Sequence, residues 1–338
     1  MPPIFVGDQS QICIFYESGT TFGTASGTAQ WWGAIQSHEV DENTGVKKKE
    51  IRYVGAGTRD VATFEDEASS YEGTLSFYPQ DWRFLKYALG RCADGGSPVY
   101  THTITAADSN NSCKENGQIL PTFTIEDAQR VLIGASGLNF IRTYNGGTVD
   151  SATISIAEGE PVSVEIGYRA KTVSYASGTA SDITPATTPI FKWEHFVIHL
   201  PSGTALNTVK SCEISINNNL NPPYYLNGTR DIGMPIPENR DYEVKLTLNG
   251  DAAITKTIYD QYFIGGSTFN MLVVGTATPG SNIASITMSG CELKEFKTTT
   301  APEGIAEHEL TIVPKTMSAI ITDTNHELYN AGSYDGTA

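Results

Sequence analysis

Basic residues are scarce in this sequence. Its 338 residues include 22 Lys and Arg against 38 Asp and Glu, which gives a formal net charge of −16. Proteins that bind nucleic acid usually carry a basic surface that neutralises phosphates. The composition therefore argues against nucleic-acid binding, and we expect the average surface to repel a polyanion.

The sequence also lacks segments that would direct the chain into or across a membrane. It contains no run of about 18 apolar residues, which a transmembrane helix would need. The first residues, Met1 to Phe5, have no basic stretch followed by an apolar run, as a secretory signal would. We therefore predict no membrane association and folding in a cytoplasm.

Signatures of metal binding and catalysis are missing as well. The five cysteines include no CxxC pair and no His/Cys cluster at zinc-ligand spacing. Cys92 and Cys113 flank a loop and could form a disulfide, whereas the other three lie in strand-like segments and are predicted to be buried. No nucleophile elbow, P-loop or dinucleotide-binding motif stands between a strand and a helix. We therefore predict a protein that is not an enzyme and has no metal and no cofactor.

What the sequence does contain favours a mainly β fold. Hydrophobic residues make up 39% of the chain, aromatic residues 10% and charged residues only 18%, as in a globular protein with a core. β-branched and aromatic residues, which favour strands, are frequent. Long Ala/Leu/Glu/Lys-rich helical stretches are absent.

An internal repeat is visible around a short turn. Residues Gly57 to Asp60 (Gly-Thr-Arg-Asp) recur as Gly228 to Asp231, and a Tyr-Glu pair follows each copy at the same spacing, Tyr71-Glu72 and Tyr242-Glu243. Each Tyr opens a segment in which apolar and polar residues alternate, as in a half-buried strand. An enzyme rarely needs its active site twice at identical spacing, so we interpret the Arg-Asp pairs as structural. The repeat-defining residues are Gly57, Arg59, Asp60, Gly228, Arg230 and Asp231.

The two copies align over further elements. Residues 35–40 align with residues 209–214, upstream of the turns. Downstream, Asp81 is predicted to cap a helix over residues 82–89 that ends at Gly90, and the second copy has a helical pattern before Gly265. A hairpin that turns at residues 158–159 closes the first copy, and strands on either side of residues 303–304 close the second.

These patterns predict a division of the chain into modules and connections. The first module spans residues 1–171 and carries a loop insertion at about residues 91–148, which is either an elaborated loop or an extra hairpin. Residues 172–189, rich in Ser, Thr, Ala and Pro, form a linker, and residues 190–323 form the second module. Residues 324–338 form a polar C-terminal tail.

Two charged segments are candidate contact regions. A segment at residues 41–52 lies between two predicted strands and contains Lys47, Lys48, Lys49 and Glu50. It is interpreted either as an exposed hairpin or as a contact loop between subunits. The acidic run at residues 65–67 follows the first turn and is most simply a solvated loop.

Three elements together resemble the tail tube proteins of tailed bacteriophages and archaeal tailed viruses. They are the strand, charged loop, turn and strand of residues 35–77, the helix at residues 81–90, and the hairpin at residues 149–162. The second copy keeps the order of these elements but lacks the Glu-Gly-Glu-Pro of residues 158–161. The resemblance implies two tandem β-barrel or β-sandwich modules, each with a short flanking α-helix.

The resemblance also implies a structural function. In that family six modules close a ring, and the rings stack into a hollow tube through which the viral genome passes. A chain with two modules would reach six as a homotrimer, which gives a pseudo-hexameric ring. The implied location is the virion tail, assembled in the host cytoplasm. The implied partners are further copies of the chain and other tail proteins, such as a tape measure, a tail terminator, and a baseplate or tip.

The acidity of the chain fits such a tube. DNA would pass through a negative lumen without specific binding, because the wall would repel its phosphates. The candidate lumen-lining residues are Glu65, Asp66, Glu67, Glu72, Glu165 and Glu243. The candidate ring-stacking loop is the segment with Lys47, Lys48, Lys49 and Glu50.

Three other functions remain open from the sequence. A surface β-sandwich repeat, of the cell-surface-layer or adhesin type, would be expected to carry a secretory signal and calcium-binding loops. The inner tube of a contractile injection system would share the fold. A carbohydrate-active enzyme would need two paired carboxylates in a cleft, which alternation alone does not place.

Overall fold

The computed structural model describes residues 10–17, 22–42, 48–53, 60–96, 99–107, 120–130, 139–226, 228–250, 252–278, 281–300 and 305–324. Within these residues the protein is mainly β, as predicted. The strands are β1 Gln11–Glu17, β2 Ala25–Gln30, β3 Gly33–Asp41, β4 Lys48–Ile51, β5 Thr63–Asp66, β6 Tyr71–Pro79, β7 Gly90–Gly96, β8 Tyr100–Ala106, β9 Phe123–Gln129, β10 Phe140–Ala157, β11 Ser163–Ala170, β12 Thr172–Ala176, β13 Phe196–His199, β14 Val209–Asn217, β15 Leu220–Asn221, β16 Ile236–Pro237, β17 Asp241–Asn249, β18 Phe269–Thr278, β19 Asn282–Thr299, β20 Glu307–Val313 and β21 Thr316–Asp323. The helices are α1 Phe84–Leu89 and α2 Ala252–Thr257, which continues as a π-helical turn over Ile258–Ile264.

Eight strands form one antiparallel sheet, which we call the main sheet. Its order is β3-β6-β11-β10-β14-β17-β20-β19. The first four strands come from the N-terminal half of the chain and the last four from the C-terminal half. Each half therefore contributes a block of four consecutive neighbours.

Two outer sheets pack on this main sheet. The first has the order β2-β1-β9-β10-β12, and the second has the order β13-β18-β19-β21-β8-β7. Strands β10 and β19 are 18 residues long and take part in two sheets each. Their N-terminal parts lie in an outer sheet and their C-terminal parts lie in the main sheet, so they connect the layers.

The register of the main sheet shifts at corresponding places in its two halves. In an antiparallel pair such a shift marks a β-bulge, where one extra residue bends the strand. The shifts lie between Ile35 and Ser37 in β3, Val209 and Ser211 in β14, Val149 and Ser151 in β10, and Leu293 and Glu295 in β19.

The space between the sheets is a continuous hydrophobic core. Alternate residues of the main-sheet strands enter it, including Leu75 and Phe77 from β6 and Leu246 from β17. Helix α1 lies inside, with all six of its residues buried. Burying each large apolar side chain contributes about 1.5–3 kcal/mol. Since side chains of both halves pack into the same core, the halves support each other.

Helix α1 confirms the predicted helix but begins later. It starts at Phe84 instead of Trp82, and Gly90 ends it with a φ of +112°, a conformation that glycine tolerates best. Asp81 is not its cap as expected. The Asp81 carboxylate instead accepts the Arg83 backbone N–H at 3.1 Å and pairs with the Arg83 guanidinium, which holds the residues before the helix in a turn.

Other predicted strands are also present in the described residues. Hairpins β10–β11 and β19–β20 lie where expected, although residues 303–304 are outside the described part. The described residues of the proposed insertion, residues 91–148, contain most of the hairpin β7–β8, strand β9 and part of β10. The expected linker at residues 172–189 begins with β12, which pairs with β10. The C-terminal tail from residue 325 onward lies outside the described residues.

Candidate assembly interface

The face of the main sheet that points away from the core is strongly acidic. In strands β6, β11 and β17 the residues between the buried ones are polar, and Glu72 and Glu165 are exposed. The acidic residues of this face include Glu39, Asp41, Glu72, Glu165, Glu213, Asp241, Glu243, Glu292, Glu295, Glu307 and Glu309, and its basic residues include Arg169, Lys210, Lys245 and Lys297. We call it the polar face.

Ion pairs on the polar face balance part of this charge. Lys245 lies 3.0 Å from Glu243 and 3.4 Å from Glu213, and its hydrogen bond to Glu243 raises its pKa. Lys297 lies 2.9 Å from Glu295, and the hydrogen bond that it donates lowers the pKa of that carboxyl. These groups are exposed to solvent, so the pairs add little stability. They leave the face with an excess of negative charge.

The two halves of the main sheet meet where β10 pairs with β14. Seven residue pairs join these strands, from Ser151 opposite Asn217 to Ala157 opposite Ser211. Asn218, which is fully buried, anchors the end of the junction by donating to the carbonyl oxygens of Ala88 and Val149 at 3.0 Å each. We call this contact the internal junction.

The two ends of the main sheet are edge strands. Strand β3 pairs with β6, and residues Glu292–Thr299 of β19 pair with β20. Within the described part of the chain, neither segment has a strand neighbour on its other side. Backbone groups along such an edge can hydrogen-bond another strand, so an edge of this length is a site for pairing with a second chain.

The predicted lumen-lining residues separate into two groups in the structure. Glu72, Glu165 and Glu243 all lie on the polar face of the main sheet. Glu65 and Asp66 instead belong to β5, which pairs with β4 in a separate two-stranded hairpin, and Glu67 follows that strand. Period-two alternation brought the first group together, whereas the second group was selected only for its charge.

The described end of the charged segment forms strand β4, which pairs with β5. Lys48, Lys49 and Glu50 lie in β4, and all three are exposed. Lys48 lies 3.7 Å from Asp66 across the hairpin. Lys47 lies outside the described residues.

The second repeat turn contacts the segment that precedes β6. The Arg230 carbonyl accepts the Ser69 backbone N–H at 2.9 Å, and the Arg230 guanidinium lies 3.2 Å from the Asp66 carboxylate. Ser69 also pairs with Asp231 in an isolated parallel bridge, and Gly228 has a φ of +80°. The turn thus ties the C-terminal half to the N-terminal half. In the first turn Asp60 is exposed, whereas Gly57 and Arg59 lie outside the described residues.

Several residues of the interface were missed by reasoning from the sequence. Lys297 and Glu295 lie on the polar face at the β19 edge, and Asp41 lies at the β3 edge. Alternation along residues 292–299 was a signal for the first two, because apolar Leu293 and Phe296 stand among charged residues. The bulge between Leu293 and Glu295 interrupts the period of two and hides the pattern.

Other chemical features of the described residues are few. Neither described helix has the length and apolar character needed to cross a membrane. Cys92, Asp94 and His102 form a cluster of groups that could hold a metal ion. Cys92 is buried, and the possible disulfide between Cys92 and Cys113 falls outside the described residues, because Cys113 is not among them.

Comparison with known proteins identifies a family. A family model described as "Phage tail tube protein" matches residues 9–314 of this chain. No curated protein matches it. Among solved structures, the chain is similar to the "Cryo-EM structure of the anti-feeding prophage cap (AFP tube terminating cap)". That similarity has 14% sequence identity and a TM-score of 0.29, and it covers 42% of this chain and 96% of the other.

Proposed function

Because this chain belongs to the phage tail tube protein family, we propose that three copies of it close a ring and that such rings stack into the hollow tail tube through which the viral genome passes. Membership of the family makes the chain a structural component of a virion tail. The ring, its stoichiometry and the passage of the genome are the parts that we propose.

The order of strands in the main sheet supports the proposal of two tandem tube modules. Each half contributes four neighbours in the same sequence of first, second, fourth and third strand. The residue pairs correspond as well. Leu75 faces His38 and Ile166, just as Leu246 faces Cys212 and Leu310.

The observation that carries the proposed ring is the internal junction. Along the sheet, the first half ends with β10 and the second half begins with β14, and the internal junction joins these two strands. The sheet itself begins with β3 and ends with β19, which are its two edges. If chains repeat the internal junction head to tail, β19 of one chain pairs with β3 of the next. Such a heterologous contact forms a closed ring when the rotation closes, and three chains supply six modules.

The internal junction also predicts the residues that meet between chains. At that junction Thr153 lies opposite Ser215. Lys297 occupies the place of Thr153, because it faces Glu309 as Thr153 faces Glu165. Asp41 occupies the place of Ser215, because it faces Glu72 as Ser215 faces Glu243. The proposed pairing therefore sets a cation opposite an anion, which favours strand pairing.

We assign the polar face of the main sheet to the lumen. Glu72, Glu165 and Glu243 would then belong to a continuous acidic wall that repels the phosphates of passing DNA. The β4–β5 hairpin lies off this face, so we assign Lys48, Lys49, Glu50, Glu65 and Asp66 to contacts between stacked rings. A tape measure protein inside the tube, and a terminator and a baseplate or tip protein at its ends, are the further partners that we propose.

A disulfide test addresses the ring directly. Asp41→Cys combined with Lys297→Cys should give a covalent closed trimer on mild oxidation, because directly opposed strand residues lie within disulfide reach. Electron microscopy of the same sample should show rings with a central hole. Asp41→Cys combined with Glu295→Cys is the matched control, since it moves one thiol two residues along the same face. Dispersed monomers at high concentration, or equal crosslinking of both variants, would contradict the proposed ring.

A further inference from the structure

The hairpin β7–β8 places three chemically distinct groups together. Cys92 and Asp94 are two residues apart in β7, so their side chains point to the same face of the sheet. His102 in β8 lies directly opposite Asp94 in the strand register. One oxygen, one sulfur and one nitrogen atom of these three side chains lie within 4.8 Å of one another.

The cluster is sealed from solvent. Cys92 and His102 have no exposed surface, and the Asp94 side chain is 1% exposed. Asp94 Oδ1 lies 3.3 Å from Cys92 Sγ and 2.6 Å from His102 Nδ1. Without a proton or a cation between them, the lone pairs of Nδ1 and Oδ1 would repel each other at that distance. Either a hydrogen on Nδ1 or a cation bound by both atoms accounts for this contact.

A second observation concerns the other oxygen of Asp94. Asp94 Oδ2 is buried and has no hydrogen-bond partner among the described residues. A buried carboxylate oxygen that lacks a partner costs about 1–3 kcal/mol, or more because it carries charge. A group that supplied a bond to this oxygen would remove that cost.

We propose that this cluster is a metal site for Zn²⁺ or a divalent ion of similar chemistry, ligated by Cys92 Sγ, the Asp94 carboxylate and His102 Nδ1. Thiolate, imidazole and carboxylate are the ligands that zinc takes in proteins, at about 2.0–2.3 Å, and a three-ligand set leaves a fourth position for Asp94 Oδ2 or water. Binding of Zn²⁺ releases the thiol proton of Cys92 to solvent. The ring proton of His102 then lies on Nε2, which faces Asp323, and the Nδ1 lone pair ligates the ion.

The surroundings of His102 fit a metal ligand. Its other ring nitrogen, Nε2, lies 3.1 Å from Asp323 Oδ1 in β21. Ligating histidines commonly donate the other ring N–H to a carboxylate, which orients the ring and raises its basicity. Because β8 pairs with β21, an ion at this place would also strengthen the contact between the hairpin and the last strand of the second outer sheet.

No motif in the sequence predicts this site. Cys92 and Asp94 are separated by one residue, and His102 follows eight positions later, which matches no common zinc spacing. The register of the hairpin brings the three together. Occupancy by a metal ion would overturn the expectation of a protein without one.

Cobalt is a suitable probe because a thiolate ligand gives Co²⁺ a charge-transfer absorption that carboxylates and imidazoles do not. We would use the full chain with Cys113→Ser, stripped with a chelator and titrated first with Co²⁺ and then with Zn²⁺. The expected result is one equivalent of Co²⁺ with the thiolate band, displaced by Zn²⁺, together with a higher melting temperature.

Variants make the assignment specific. Cys92→Ser should abolish the thiolate band, and Asp323→Asn should weaken binding by about 10–100-fold through His102. Cys291→Ser, which alters a buried thiol elsewhere, should leave the titration unchanged. Circular dichroism would verify the fold of each variant. Absence of the thiolate band in the parent protein, or its survival in Cys92→Ser, would overturn the site and leave a hydrogen on Nδ1 as the explanation of the contact between His102 and Asp94.

Discussion

The two halves of the main sheet fill equivalent places in the core with different residues. His38 in β3 and Cys212 in β14 each face a buried leucine of the neighbouring strand. His38 contacts the Tyr168 hydroxyl at 2.7 Å and the Asp127 carboxylate at 3.3 Å. Cys212 is buried in apolar surroundings that raise the pKa of its thiol to about 12. The same strand arrangement thus accommodates a charged network in one half and an apolar contact in the other.

The neighbours of these residues differ as a set. In the first half, Tyr168 faces Gly73, and a Cβ atom added to Gly73 would lie 2.5 Å from the Tyr168 ring. In the second half, the corresponding pair is Ile312 facing Val244. The first half fills this space with a large ring packed over a glycine. The second half fills it with two side chains of medium size. Each half thus fills this space with its own matched group of residues, so we expect a single exchange between the halves to fail where a group exchange succeeds.

The largest expected effect tests whether the halves fold as one unit. Leu75→Ala and Leu246→Ala remove equivalent buried side chains, and each should destabilise the protein by about 2–5 kcal/mol. Because both lie in one continuous core, each should shift the same single transition in urea. Unfolding would be followed by both tryptophan fluorescence and circular dichroism. The fluorescence signal comes from the tryptophans at residues 31, 32, 82 and 193. Separate transitions, with only one moved by each variant, would show that the halves unfold independently.

The sequence predicted the strands of the main sheet because alternation survives in them. Residues 71–79 and 241–249 carry a clear period of two, and both are strands whose alternate residues are buried. Helix α1 was predicted because its apolar residues and Gly90 give local signals. These elements depend on short-range patterns, which a single sequence contains.

The pairing of distant strands and the partners of buried polar groups could not be predicted from such local patterns. The pairing of β10 with β14, and of β8 with β21, joins residues far apart in the chain, and no local pattern specifies it. Asp127 becomes a partner of His38 only through that long-range packing. Bulges in β10 and β19 also shift the alternation, which concealed charged residues such as Lys297.

A smaller loss of stability should follow when residues of the second half are introduced at the equivalent places of the first half. Gly73→Val should cost about 3 kcal/mol, because the new side chain overlaps the Tyr168 ring. Adding Tyr168→Ile and His38→Cys gives the combination that the second half already has, and it should recover much of the loss. Urea midpoints of the single and triple variants would be compared. A triple variant no more stable than Gly73→Val would contradict the equivalence of the two positions.

The smallest expected effect is on the acid sensitivity of protein stability. We expect it to come from the first half, where Asp127 contacts His38. Burial raises the pKa of Asp127, but the hydrogen bond from His38 and the charge of Arg142, which lies 2.6 Å away, lower it more. The net pKa therefore lies below its ordinary value. A carboxyl whose pKa is lowered by folding stabilises the protein above its unfolded pKa, near about 4, and this stabilisation is lost as the pH falls through the folded pKa.

Asp127→Asn should accordingly lower stability at neutral pH by about 1 kcal/mol and should flatten the decline of stability below about pH 4. Asp182→Asn is the matched control, because Asp182 also pairs with an arginine, Arg130, but its side chain is 85% exposed. Urea midpoints between about pH 3 and pH 7 would measure both variants. An unchanged slope in Asp127→Asn, or an equal change in the control, would mean that the acid response comes from dispersed surface carboxyls. In that case the charged network around His38 would be a packing alternative to Cys212 without a distinct electrostatic role.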